Sequence, residues 1–440
     1  MKYLRQVLQT LEERLEFEKW YSSYALANLS AGGISILIPL YVLHLGGGVE
    51  DIGLLTAAGN LVAVPASIIW GMLSDRLNSR KIFVVIGFLG IAATFLTMGF
   101  VQSLSFLLLL NASYMLFWMS SASVVTILII EKEERGNWDN KIGSFNLNSG
   151  LGWAMGLGVG LVWTSLAPGM IAEQLTFRYL FIILGLSSLA GGVIALKVIP
   201  GDIKFDRSRF RGRLVEAGDM ITERFRYLPI HLYYLLKPRK FLSVADRFGP
   251  NLTAFIIAVG LIFTGFSTFF IPLPAYFKTV VGLSDGTIYL LFIANSLSSA
   301  LFYRRASGLI KKVGPLRVLR SSLFLRIVLL PAIIVPFLFI QSVTARLAVV
   351  SFFFVLIGVS WALINVSNLV VASRLSPSSI KGQVFGAYNG ISGLSAVLGS
   401  LIGGYVAKSG SYLATFLLGS LFVSLGLLII RSKVSEEFLR

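Results

Sequence analysis

A chain of 440 residues that is 55% hydrophobic and only 13% charged, with a mean hydropathy of +0.80, cannot clothe itself in charge as a soluble protein of that length does. Its solvent is largely lipid. The absence of cysteine excludes a disulfide framework, thiolate catalysis and cysteine metal sites, and the net charge of +17 must be explained by where the basic residues stand.

In chain order, the first twenty residues place Leu4, Leu8, Leu11 and Leu15 on one helical face with charges opposite. That pattern predicts an interfacial helix over 1–20 leading into the first span, not a cleaved leader. Twelve apolar stretches follow, at 21–45, 51–73, 82–103, 104–130, 143–163, 176–199, 250–276, 284–303, 318–340, 346–371, 383–407 and 411–430. Each is long enough to cross a hydrocarbon core of ~30 Å as a helix, so the class is an all-α polytopic membrane protein. Of the 38 Lys and Arg, 33 fall on one side when alternate loops are counted. Arg178, Lys278, Arg346 and Lys408 lie on the other side, and Arg326 sits inside span 9. The positive-inside rule then makes both termini and the central connector cytoplasmic, in a multi-pass protein of the plasma membrane. The basic charge is a topology signal and does not call for nucleic acid.

Residues 1–200 and 250–440 read as two six-helix bundles joined by a basic cytoplasmic linker at 201–249. The linker mixes arginines with Phe210, Phe225 and Tyr227, as a helix along anionic lipid headgroups would, although a solvated connector fits equally. Pro39, Tyr41 and Asn60 recur as Pro274, Tyr276 and Asn295, each 235 positions later. The halves are therefore expected to be pseudo-symmetric copies, the architecture of a rocking, alternating-access transporter.

Between spans 2 and 3 stands "GMLSDRLNSRK", four charges between two long apolar runs. Gly71, Asp75, Arg76 and the Arg80–Lys81 pair match the Gly-x-x-x-Asp-Arg/Lys-x-Gly-Arg-Arg/Lys signature, with Asn78 where Gly is usual. The chain thus resembles the major facilitator superfamily of secondary transporters over essentially its whole length. The resemblance implies that this cluster latches the cytoplasmic side closed. Asp75 would meet the positive N-terminus of span 11, whose approach reads "SPSSIKGQVF", and Gly71 would permit the close approach. The basic residues would pair with acids such as Glu131. In the second half a lysine pair, Lys311 and Lys312, stands where the acid would be, so the gate is expected to be asymmetric.

No Asp or Glu falls in the middle of a span, which weakens a proton relay and leaves the coupling ion, proton or sodium, open. Neutral polar residues recur instead at helical spacing: Asn111, Tyr114 and Trp118 in span 4, and Trp361, Asn365 and Asn368 in span 10. Tyr24 and Asn28 stand in span 1. The resemblance implies that spans 1, 4, 7 and 10 line the central cavity. Amides and aromatic rings there would suit an uncharged or weakly charged organic solute, the alternative being that they tie helices together. Asn146, Trp153, Tyr388 and Asn389 are further cavity candidates. Gly152, Gly156 and Gly160 in span 5, and Gly399 and Gly403 in span 11, recur every four residues and predict close helix packing. For Arg326 the plainer reading is a peripheral side chain snorkelling to the cytoplasmic headgroups; an anion contact or an interhelical pair is the alternative.

The function implied is transport of a small organic solute by alternating access. A lipid or glycolipid flippase, or a multidrug exporter, on the same fold is the main alternative, and a non-transporting receptor a more distant one. No Gly-Lys dipeptide is present, so there is no P-loop and no ATP motor, and two isolated histidines give no metal site. The expectation is a monomeric, non-enzymatic carrier without cofactor.

Overall fold

The computed structural model describes residues 18–77, 79–130, 138–199, 238–377 and 380–434. Most of the interfacial helix expected over 1–20, most of the linker, Asn78, Glu131 and two serines of the span 11 approach lie outside the described residues.

Among the described residues, twelve helices are long and apolar enough to cross a membrane. They are α1 (Tyr21–His44), α2 (Val49–Leu77), α3 (Arg80–Met98), α4 (Leu104–Ile130), α5 (Trp138–Leu166), α6 (Glu173–Val198), α7 (Pro238–Phe270), α8 (Asp285–Val313), α9 (Pro315–Ala332), α10 (Val343–Leu375), α11 (Lys381–Lys408) and α12 (Tyr412–Lys433). Their ends follow local chemistry. Ser284, Ser342 and Ser411 cap α8, α10 and α12, each hydroxyl accepting the backbone N–H three residues on. Gly314, at φ +96°, takes the backbone conformation that lets Pro315 open α9 immediately after α8. Several helices overrun the apolar stretches because their polar ends stay helical beyond the hydrocarbon. Span 7 departs more. Its helix is broken at Gly249 (φ +75°) and again after Phe270, where Pro272 and Pro274 interrupt the backbone ladder. The segment continues as a short helix, Leu273–Ala275, and a single wide turn, Tyr276–Val280.

The described chain forms two compact units: unit 1 (Met1–Ile38 and Pro65–Leu214) and unit 2 (Pro39–Val64 and Val215–Arg440). In unit 1, α3 packs against α4 and α6; in unit 2, α9 packs against α10 and α12 in the corresponding way, and α7 packs against α11 and α12. The glycine ladders also correspond. A Cβ on Gly156 of α5 would fall on the Leu29 carbonyl and 2.8 Å from Gly33 N. One on Gly399 of α11 would stand 2.5 Å from the Thr264 carbonyl and 3.1 Å from Thr268 N. Leu29 and Gly33 precede Thr264 and Thr268 by the same 235 positions that relate Asn60 to Asn295. Gly152 meets Ala25 and Gly403 meets Thr268 in the same fashion.

Candidate functional site

The polar and aromatic side chains of unit 2 converge on α10. Trp361 is half-buried, its ring 6.0 Å from both Phe263 and Phe266 of α7, and Phe263 lies 6.2 Å from Tyr388 of α11. One turn on, Asn365 Nδ2 donates to the Tyr303 hydroxyl of α8 at 3.0 Å. Asn368 is 0% exposed and neither of its amide atoms has a hydrogen-bond partner. The Tyr388 hydroxyl stands beside it, short of a bond of good geometry. A buried amide without partners costs free energy and is the sort of group a ligand or an ordered water satisfies. Tyr388 thus joins this cluster, whereas Asn389 is exposed.

Arg326 departs from the snorkelling expectation. It is 1% exposed, pointing into the unit: Nε donates to Ser360 Oγ at 2.7 Å and Nη2 to the Ile357 carbonyl at 2.8 Å, both on α10. Its guanidinium carbon lies 4.8 Å from the Phe266 ring, 5.5 Å from Phe270 and 5.8 Å from Trp361. Removing such an ion from water costs several kcal/mol. Hydrogen bonds to a charged donor, at about 1.5–3 kcal/mol each, and the ring faces offset much of it. The reason for the departure is the side of α9 on which Arg326 stands: it faces α10, not lipid. Phe263, Phe266, Phe270 and Tyr303 were absent from the sequence reading. The i, i+3, i+7 spacing of the three phenylalanines was the signal for them.

Unit 1 uses its polar residues differently. Tyr24 is buried, its hydroxyl donating to the Ser121 carbonyl of α4 at 3.2 Å and its ring 5.0 Å from Phe88 and from Phe145. Asn28 donates to the Tyr24 carbonyl of its own helix. Asn148 ties α5 to α1 through the Tyr21 carbonyl at 2.7 Å. Asn111 and Tyr114 are buried, Tyr114 against Phe95 and Trp118, while Trp118 is half-buried. Trp153 is half-buried on α5, where its backbone carbonyl closes on Gly32, and Asn146 is exposed.

The Major Facilitator Superfamily model matches residues 20–400. The chain belongs to that superfamily. Solved structures of like fold include the nucleoside transporter NupG, at 13% identity and TM-score 0.69, covering 95% of this chain and 99% of that one. A POT peptide transporter in complex with alafosfalin matches at 15% identity and TM-score 0.69, over 94% and 93% of the two chains. A bacterial homologue of the human lysosomal transporter Spinster matches at 13% identity and TM-score 0.66, over 96% and 94%. No curated protein matches the sequence. The protein is therefore a multi-pass, non-enzymatic membrane transporter of the superfamily.

The superfamily signature is folded on itself. Arg80 Nη1 donates to Asp75 Oδ1 at 2.7 Å and to Ser74 Oγ at 2.6 Å, with the Asp75 side chain 64% exposed. Arg76 and Lys81 flank the pair at the ends of α2 and α3. An added Cβ at Gly71 would meet nothing within 4 Å. The intimate contact lies at the other end of α2. Gly53 and Gly404 bring the α2 and α11 backbones together, a Cβ on Gly404 meeting Gly53 Cα at 3.1 Å, and Glu50 pairs with Lys408 at 2.9 Å. The adjacent glycines of α11 are thus divided, Gly403 serving α7 and Gly404 serving α2. Gly160 belongs to the same four-residue series and is buried.

Proposed function

We propose that this transporter moves a small organic solute, with both polar and apolar surface, by alternating access. Its binding surface in unit 2 is the α10 face of Trp361, Asn365 and Asn368 with Tyr388; Asn28, Asn111, Tyr114 and Trp118 are its counterparts in unit 1. Asn368 supports this best: a fully buried amide with two unpartnered atoms, beside the Tyr388 hydroxyl, suits a ligand better than it suits packing. The six-helix bundles are the moving bodies, the cluster of Asp75, Arg76, Arg80 and Lys81 with Glu131 is the cytoplasmic latch, and the chain lies in the plasma membrane with both termini cytoplasmic.

Thermal unfolding of the purified protein against a solute library, at two pH values and with or without sodium, tests the reading. A neutral or amphipathic solute should raise Tm as its affinity for the folded state dictates, and Trp361→Ala or Asn365→Ala should abolish the rise. A dependence of that rise on pH or sodium would name the coupling ion. Stabilisation by lipids alone, unaffected by both substitutions, would transfer the assignment to a flippase.

A further inference from the structure

Arg326 brings a positive charge into unit 2, and among the described residues its guanidinium bonds to a hydroxyl and a carbonyl and to no carboxylate. From Asn251 to Val434 the sequence holds a single carboxylate, Asp285, and Lys278 Nζ already holds that group at 2.5 Å. A guanidinium has five N–H donors in a planar fork. The Nε and Nη2 bonds to Ser360 and Ile357 occupy its lateral edge, whereas Nη1 is buried and without a partner. The second Nη2 proton and the adjacent Nη1 proton remain, and together they make the end-on edge that a carboxylate meets with two parallel hydrogen bonds. Around the guanidinium stand the rings of Phe266, Phe270 and Trp361.

We propose that the end-on edge of Arg326 is the binding site for one monoanionic group, a carboxylate carried by the transported solute or a free inorganic monoanion. The site rests on the solute-binding reading of α10, and it changes the solute's chemistry. The partner is then an amphipathic monoanion whose apolar body lies on Trp361, Phe263 and Phe266 and whose charge lies on Arg326. Arg326 is almost fully covered while Trp361 is half-buried, so a side-chain rotation at Trp361 is the entry step. The lateral edge fixes the guanidinium before the anion arrives, which lowers the ordering cost of binding.

Thermal unfolding of the purified full-length chain in detergent tests this, with ionic strength held constant by sodium sulfate and with sodium benzoate, benzamide or sodium chloride as probes. Benzoate should raise Tm saturably in the unsubstituted protein, benzamide should act at least tenfold more weakly, and Arg326→Gln should lose the benzoate response. A saturable response to chloride without one to benzoate, again lost in Arg326→Gln, supports the site with a free anion as its occupant. If Arg326→Gln does not fold, Arg326→Lys keeps the charge but not the planar fork, and its benzoate midpoint should weaken at least tenfold. An unchanged midpoint in Arg326→Lys, or an equal response in folded Arg326→Gln, overturns the proposal. If neutral solutes stabilise through Trp361 and Asn365 while neither anion does, the Arg326 site falls and the solute-binding surface stands. If nothing stabilises the protein, both fall.

Discussion

α3 and α9 begin 235 positions apart, at Arg80 and Pro315, and each packs against two corresponding helices of its unit. Their contents differ. α3 buries Phe88, Ile91 and Phe95 and is tied to its neighbours by hydroxyls, Ser120 to the Phe83 carbonyl and Ser188 to the Phe88 carbonyl. α9 buries Leu319, Leu323 and Leu330 with a guanidinium among them, Arg326. At the ends before these helices the charges are distributed the other way. An acid–base pair, Asp75–Arg80, precedes the apolar interior of α3, and two lysines, Lys311 and Lys312, precede the charged interior of α9. Backbone packing survived duplication because glycine contacts such as Gly156 on Leu29 and Gly399 on Thr264 tolerate no side chain. Elsewhere the side chains differ, and the two halves hold their charge in different places.

The largest effect should come from moving the charge across. Ile91→Arg places an ion in the fully buried interior of α3, away from the Ser360 hydroxyl and Ile357 carbonyl that hold Arg326. A buried ion without compensation costs about 3–5 kcal/mol, so little monodisperse protein should be recovered from detergent; a well-folded variant with unchanged Tm would show the two interiors to be equivalent. Next come the shared contacts. Gly156→Leu and Gly399→Leu should each destabilise by at least the ~1–3 kcal/mol typical of overpacking, and by similar amounts, read as paired losses in Tm. Damage confined to one of them would break the correspondence of the halves. Smaller in stability and larger in function is Trp361→Ala, which removes the ring between Arg326 and Phe263. Solute affinity should fall at least tenfold, while Trp118→Ala in unit 1 should weaken it less if the binding chemistry is concentrated in the second half. Equal losses would place the two aromatic faces on one footing.

The twelve spans and the repeat were legible because lipid demands unbroken apolar runs, and a helix is the cheapest way to satisfy their backbone. Pro272 and Pro274 blurred only where span 7 ends. The glycine period was legible too, but not its partners, since spacing within one helix says nothing of which carbonyl the bare face meets. Gly404 shows the cost of that: its neighbour Gly403 fits the four-residue series, whereas Gly404 itself meets α2, a contact no period announces. Arg326 was misjudged for a related reason. A lone arginine in an apolar helix reads the same whether it faces lipid or a neighbour, and only the fold put Ser360, the Ile357 carbonyl and three rings on its side. Tyr24 is the converse case, a polar side chain in a cavity-type position whose hydroxyl is used to hold α4.

The smallest expected change in stability belongs to the loop between α2 and α3. Asp75 is mostly exposed, and an exposed ion pair contributes at most ~1 kcal/mol, so Asp75→Asn should leave Tm nearly unchanged. Its effect should be on population. If the carboxylate helps hold the cytoplasmic side closed, its loss shifts the equilibrium toward the state open on that side, and a contribution near 1 kcal/mol changes the ratio of states about fivefold. The absence of native cysteine makes this measurable with single introduced thiols, whose labelling rates on the cytoplasmic face should rise in Asp75→Asn. The same substitution at the lysine pair, Lys311→Asn, should leave those rates where they were, because the second half has no carboxylate to lose. Unchanged labelling in folded Asp75→Asn would remove the latch, and an equal rise in Lys311→Asn would remove the asymmetry between the halves.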